Sequence, residues 1–429
     1  MKIFDLAKHG TNVKTEFIAG FTTFLTMMYI VPVNGFILAD AGMPMAAVVS
    51  ATAIITIIAC LISGFWSNTP IAMSVGMGLN VYFAYGLVQG MHMPWQSALG
   101  IVFMSGVLFA ILSFTKFRTW IMISIPLDLR RAISAGIGAF IACLGLKQLH
   151  IIVPNHDTLV ALGNLGDKNV LLGLLGIALA FIFYSYRLKG AFILSIALTA
   201  ILAWALGANT PKEYFSLPSS IAPIFMKLDI KSVLTLSLFP VIVTFFITDL
   251  FDTLGTLTGV GARANIFQGN KKDDKLMKRT LEADAVATIA SSIVGVSATT
   301  PFVESASGIE QGGRTGLTAV FTALFFIFTL FMLPLFESIP EVAIYPVLVV
   351  VGVLMFVELG NISFKRSDLA TSAACFFIVL LMPFTFSITN GVAAGFIVYS
   401  LIRLAKGEFK ELNLGVILLT IISLMIFIL

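Results

Sequence analysis

What most limits this chain is the recurrence of uninterrupted apolar runs. "PMAAVVSATAIITIIACLISGFW" (44–66) holds no charged residue over a length that crosses a bilayer, and similar runs of roughly 18–25 residues recur from end to end. A soluble chain of 429 residues, 58% hydrophobic and 11% charged, has too little interior to hide them. Alternation of period two is absent, which argues against a membrane β-barrel. The chain reads as an all-α polytopic membrane protein. Its start, "MKIFDLAKHGTNVKTEF", lacks the continuous apolar core and small-residue cleavage site of a signal peptide. Cys60, Cys143 and Cys375 lie in apolar runs without ligand spacing, so no metal site is expected. A net charge of +4 gives no reason to expect a nucleic-acid partner.

Spans are expected at 14–38, 44–66, 69–89, 96–115, 131–150, 169–187, 189–207, 235–262, 280–298, 299–313, 316–336, 342–359, 368–385 and 388–404. A further apolar stretch, 412–429, either crosses or lies against the bundle. The distribution of basic residues tests this map. With the N-terminus inside, 21 of the 26 Lys and Arg fall on the cytoplasmic side, and only Lys147, Lys168, Lys212, Lys227 and Lys231 fall outside. A wrong span count would scramble that asymmetry. The expected location is therefore the cytoplasmic (inner) membrane, multi-pass, with a cytoplasmic N-terminus.

The loop "GANTPKEYFSLPSSIAPIFMKLDIKS" (207–232) is the longest polar break and divides the spans seven and seven. An odd number per half makes the second half enter the membrane in the opposite sense. The expected organisation is a first inverted repeat at 1–207 (spans 1–7), a connecting extracellular loop at 208–234, a second repeat at 235–404 (spans 8–14) and a C-terminal apolar segment at 405–429. Internal resemblance is weak but placed as this requires. "NTPIAMSVGMGLN" (68–80) opens the third span, and "SATTPFVESASG" (297–308) opens the third span of the second half. Each offers Thr-Pro, a stretch able to extend, small residues and then a helical pattern. Interrupted spans at matching positions of inverted halves point to a transporter's binding site near the midplane. Irregular backbone at that depth is tolerated only against protein or a cavity, and a half-helix starting there is expected to offer backbone N–H groups to a ligand.

Acids within the spans are few. "FFITDLFDTLGTLTGVGARAN" (245–265) places Asp249 and Asp252 one turn apart on one helical face, followed by Gly255. Glu304 opens the helix of the tenth span, and Asn80 stands at the matching place in the third. Carboxylates in the bilayer are costly and mark ion or substrate pathways. The structural alternative is a protonated acid hydrogen-bonded between helices. Asp284, in the first turns of the ninth span near its cytoplasmic end, reads as structural. Asn80 supplies both donor and acceptor, which suits an amide-rich ligand. No Lys, Arg or His stands beside these acids at the same depth. The cavity therefore suits a neutral, donor-rich solute with a cation or proton rather than an anion.

At these motifs the sequence resembles the AzgA-type purine permeases, the hypoxanthine/guanine/adenine branch of the nucleobase–cation symporters. "TEFIAGFTTFLTMMYIVPVN" (15–34), "GMGLNVYFAY" (76–85), "DLFDTLGTLTGV" (249–260) and "ESASGIEQGGRTGLTAV" (304–320) carry the resemblance over nearly the whole chain. It implies a uracil-permease-like fold of two inverted seven-span repeats with short strands in the third and tenth spans. Spans 1–4 and 8–11 would form a core domain, and spans 5–7 and 12–14 a gate. It implies proton symport of a purine held by Asp252, Glu304 and Asn80, with Asp249 the rival for the first role. Proton coupling would fall to Asp252, Glu304 or Asp249. Gly76 and Gly78 would let backbone approach a flat ring, and Tyr82, Phe83 and Phe302 offer stacking faces. Gly35, Val75 and Val81 depart from the family's usual residues and bear on purine preference. No cofactor beyond the coupling ion is expected, and a homodimer is among the assemblies left open.

Other readings are a same-fold carrier for xanthine, uracil or an anion, a channel, and an intramembrane aspartyl protease. Glu304 would repel an anion. No ring of charges or repeated filter motif suggests a channel. A protease would need an aspartate where "GMGLN" has Leu79, and Asp249 and Asp252 share one helix.

Overall fold

The computed structural model describes residues 4–113, 125–155, 157–235, 237–264, 266, 271–365 and 367–428. Of the basic residues used above for orientation, Lys2, Lys116, Arg118 and Arg366 lie outside the described residues, as do the side chains of Arg263, Lys271 and Lys272. In chain order the first half holds α1 (Val13–Met27), α2 (Ile30–Ala39), α3 (Met45–Ile62), β1 (Met73–Val75), α4 (Met77–Val81), α5 (Trp95–Ser113) and α6 (Leu127–Gln148). A hairpin of β2 (Ile152–Asn155) and β3 (Leu159–Leu162) leads to α7 (Lys168–Ser185) and α8 (Ala191–Ala205). The second half holds α9 (Phe239–Ala264), α10 (Lys271–Val294), β4 (Thr299–Pro301), α11 (Ser305–Glu310), α12 (Gly316–Thr329) and α13 (Leu333–Glu337). It continues with α14 (Glu341–Phe356), α15 (Leu369–Thr385), α16 (Ile388–Ala405) and α17 (Leu414–Ile428).

Among the described residues, eight helices are long and apolar enough to cross a membrane. The other expected spans are met by elements that are short, broken or charged at one end. The helices α8, α12 and α15 are apolar but under 18 residues, and α10 begins with the basic and acidic stretch "KKDDK". Spans 3 and 10 are strand and helix together, as expected. Polar side chains start several of the helices: Asn12 accepts from the Thr15 N–H at 3.0 Å, Asp167 from Asn169 at 2.7 Å and Ser387 from Asn390 at 3.2 Å.

The breaks have local causes. Pro32 has no N–H and crowds the carbonyl four residues earlier, which is that of Met28. Span 1 accordingly divides into α1 and α2 at Met28–Tyr29, and Val31 N–H turns back to the Met28 carbonyl at 3.3 Å. In span 10, Pro301 favours an extended Thr300. In span 3, Asn68 takes a left-handed conformation (φ 53°) just before Thr69-Pro70. The two extended pieces then satisfy one another. β1 pairs antiparallel with β4, Met73 opposite Pro301, Ser74 opposite Thr300 and Val75 opposite Thr299. The ladder is extended at both ends, by Gly76 N–H to the Ala298 carbonyl (2.9 Å) and Phe302 N–H to the Ala72 carbonyl (3.0 Å). Backbone groups freed by two broken spans are thus paired with no water required.

The helices associate in two sets. In one, α1 packs on α11 and α12, α3 on α10 and α12, and α5 on α9 and α10. In the other, α6 packs on α14 and α15, α15 on α16, and α14 on α7 and α8. Small residues permit the closest crossings. A Cβ on Gly138 of α6 would meet the Gly352 carbonyl of α14 at 2.5 Å, and a Cβ on Gly352 would meet the Gly138 carbonyl at 2.5 Å.

Candidate functional site

The antiparallel β1–β4 ladder starts α4 and α11 from its two opposite ends, and α9 packs against both of them and against β4. Asn80 lies on α4, Asp252 on α9, and Glu304 immediately before α11. Asn80 is fully buried, and neither its Oδ1 nor its Nδ2 has a hydrogen-bond partner among the described residues. Such an amide is costly unless something pairs with it. Asp252 and Glu304 are half-buried and lie within electrostatic reach of each other. Neither takes part in an ion pair among the described residues. Gly255, one turn past Asp252, is exposed, and a Cβ there would meet open space.

Asp249 is fully buried, unlike Asp252 one turn on. Asp284 accepts a hydrogen bond from the Thr253 hydroxyl at 2.6 Å, which ties α10 to α9. Glu304 does not cap α11 with its side chain. Its Oε1 instead accepts from the Tyr29 hydroxyl at 2.7 Å. The backbone N–H groups expected to stand open at the start of the tenth-span helix are in use: Ser305, Ala306 and Ser307 donate to the carbonyls of Phe302, Val303 and Glu304 at 3.1, 3.0 and 3.0 Å. The tight turn at 303–304 closes them off.

The small and aromatic residues have particular neighbours. A Cβ on Gly76 would meet Thr300 at 2.9 Å, and one on Gly78 would meet Ile137 Cγ2 at 2.8 Å. The close approaches they permit are to the ladder and to α6. Tyr82 stacks on Phe245 (centroids 5.7 Å apart) and its hydroxyl bonds Thr389 of α16. Phe83 and Phe302 are buried.

Several polar residues escaped sequence reasoning. Glu16 on α1 is fully buried, where it accepts from the Arg314 N–H (2.9 Å) and the Thr318 hydroxyl and so fixes α1 to the turn after α11. At the far end of α2, Asp40 Oδ2 accepts from the hydroxyls of Tyr85 and Tyr345 (the latter at 2.9 Å) and from Gln148 Nε2 at 3.0 Å. Those partners come from the span-3 helix, α14 and α6. Tyr29 carried one signal in the sequence, a proline three residues on in an apolar span. Asp40 carried none. Among the described residues, no group of three or more His, Cys, Asp or Glu could hold a metal ion.

Residues 14–394 match the family model described as "Permease family". The chain is 44% identical over 424 residues to a putative permease, MJ0326, of Methanocaldococcus jannaschii, covering 98% of this chain and 96% of that one. It is 39% identical to the adenine permease AdeP of Escherichia coli K12 (99% and 95% covered). It is 37% identical to the guanine/hypoxanthine permease PbuO of Bacillus subtilis (98% of each). In fold it is similar to the transmembrane domain of the cyanobacterial bicarbonate transporter BicA, with a TM-score of 0.64 at 14% identity over 90% of this chain and 97% of that one. The murine anion transporter Slc26a9 gives 0.66 at 10% identity, over 91% and 68%. Those two likenesses establish the architecture, and the sequence matches establish kinship. The chain belongs to the Permease family: it is a multi-pass membrane transporter of nucleobase-permease kinship, not an enzyme.

Proposed function

We propose that this protein imports purine nucleobases, with hypoxanthine, guanine and adenine the candidate substrates, by proton symport across the cytoplasmic membrane. The observation that carries the reading is a pair of neighbouring carboxylates, Asp252 and Glu304, in no ion pair among the described residues, together with a buried, unpartnered Asn80 amide on α4, which packs on the same helix α9. Carboxylates accept from the ring N–H donors of a purine, and the amide serves its carbonyl and ring-nitrogen acceptors. The relatives named for adenine and for guanine/hypoxanthine support the same class of solute. Asp252 and Glu304, with Asp249, are the candidates for carrying the proton. A desolvated carboxylate without a counter-charge is costly when ionised, so loading a proton with the base favours crossing.

In this reading the N-terminus is cytoplasmic and the two helix sets are the core and the gate of a seven-plus-seven inverted repeat. The reciprocal crossing of Gly138 and Gly352 and the antiparallel β1–β4 pair are what a two-fold axis in the membrane plane would generate, and so support it. The test is hypoxanthine uptake into proteoliposomes, with unlabelled adenine, guanine, xanthine and uracil as competitors under imposed pH or Na⁺ gradients. Purine-selective accumulation driven by the pH gradient is expected. Uptake that ignores it and follows Na⁺ removes proton coupling, and absence of purine competition removes the substrate class.

A further inference from the structure

Glu304 is held from two directions in addition to the N–H that Ser307 donates to its carbonyl. At the backbone, its carbonyl accepts the Ser307 hydroxyl at 2.5 Å, and that hydroxyl is 3.1 Å from Thr26 Oγ1 on α1. At the side chain, Oε1 accepts the Tyr29 hydroxyl. Thr26 and Tyr29 flank the place where Pro32 breaks span 1. Without the break, α1 would run on, and residues 26 and 29 would keep an unbroken helix's spacing.

Tyr29 is 1% exposed, so its hydroxyl has no solvent to turn to. Its ring meets Phe192 of α8 edge to face (centroids 5.1 Å apart, planes at 71°), and Phe192 stacks on Tyr184 of α7 at 5.8 Å and 13°. The phenol is therefore wedged between the helix set that carries Glu304 and the set that does not.

We propose that Tyr29 is a positioning residue for substrate recognition: its hydroxyl fixes one oxygen of Glu304 and so aims the other at the ring N–H of the bound base. A free glutamate samples several rotamers, and holding one in advance removes that ordering cost from binding. The inference rests on the reading of Glu304 as a purine ligand. It adds a residue that touches no substrate, at a position where an aromatic in an apolar span would otherwise count only as packing.

Tyr29→Phe deletes the hydroxyl and keeps the ring against Phe192, so the variant folds, and melting in detergent checks that it does. Purine binding by calorimetry is expected to weaken about tenfold, while maximal counterflow at saturating purine stays near that of the unaltered protein. A double-mutant cycle supplies the readout that a merely structural role would not move. If Tyr29 acts through Glu304, the pair Tyr29→Phe with Glu304→Gln binds no worse than Glu304→Gln alone. Losses that add overturn the proposal. Unaltered binding by Tyr29→Phe beside a defective Glu304→Gln overturns it too and leaves the purine site standing. Normal binding by Glu304→Gln removes the site itself, and the proposal with it.

Discussion

Asp40 and Glu304 are both acids set among spanning helices, yet their surroundings differ in kind. Asp40 closes α2 at its C-terminal end, where the helix dipole disfavours negative charge. Three donors from three other elements converge on one of its oxygens. Gln148 Nε2 also lies 3.3 Å from each tyrosine hydroxyl, so the cluster is closed upon itself. At Glu304 the tyrosine hydroxyl holds one oxygen and a second acid, Asp252, stands within reach, while on α4, which packs on the same helix α9, the Asn80 amide is unpaired. A satisfied polar cluster stabilises an arrangement of helices, whereas an unsatisfied one keeps its bonding capacity for something that arrives later. The two clusters should therefore respond oppositely to substitution.

The largest effect is expected at Glu304. Glu304→Gln keeps the shape, replaces an acceptor with a donor, and should reduce purine uptake about 100-fold or more while the protein still melts normally. Uptake assays paired with melting curves check both halves of that statement, and normal uptake kinetics would remove Glu304 from the site.

The eighth-span acids come next. Asp252→Asn should weaken purine binding about 30-fold, because Asp252 is half-buried and near Glu304, while Asp249 is fully buried. Calorimetry on Asp252→Asn and Asp249→Asn ranks them, and a loss confined to Asp249→Asn reverses the roles.

A third pair sets the clusters directly against each other. Asn80→Leu removes two unpaired buried polar atoms and should raise the melting midpoint while costing about tenfold in affinity. Asp40→Asn should leave affinity unchanged and destabilise the protein by about 2 kcal/mol, since three donors lose a charged acceptor. If both variants lose stability and keep affinity, the contrast between the clusters fails.

The smallest effect is expected at Gly255. Alanine there meets open space and gains helix propensity of about 1 kcal/mol. A methyl group in space used by the base should still cost about threefold in affinity. Unchanged affinity would place the base elsewhere along α9.

Much of this was legible in the chain. The paired breaks at spans 3 and 10 follow from Thr-Pro steps in apolar runs, and Asn80, Asp252 and Glu304 stand out because polarity at depth is expensive. The closed cluster at Asp40 was not legible, because its members lie on four spans and each looks ordinary alone. Tyr29 was hidden for a related reason: a tyrosine in an apolar span reads as packing until its hydroxyl has an address. The start of α11 misled in a different way. A helix beginning within the membrane suggests open N–H groups, but whether a preceding turn consumes them depends on backbone angles that residue types do not dictate.

The pairing of β1 with β4 has a consequence for how the protein is made. The two strands lie more than two hundred residues apart in the chain. At about 5–20 residues per second, span 3 leaves the ribosome tens of seconds before its partner exists. Throughout that interval its extended segment has backbone donors and acceptors with nothing to pair with in lipid. The first half must therefore wait in a protected place, at the insertion machinery or against its own neighbours. Completion of the tenth span is then the step that commits the nascent chain to its mature form.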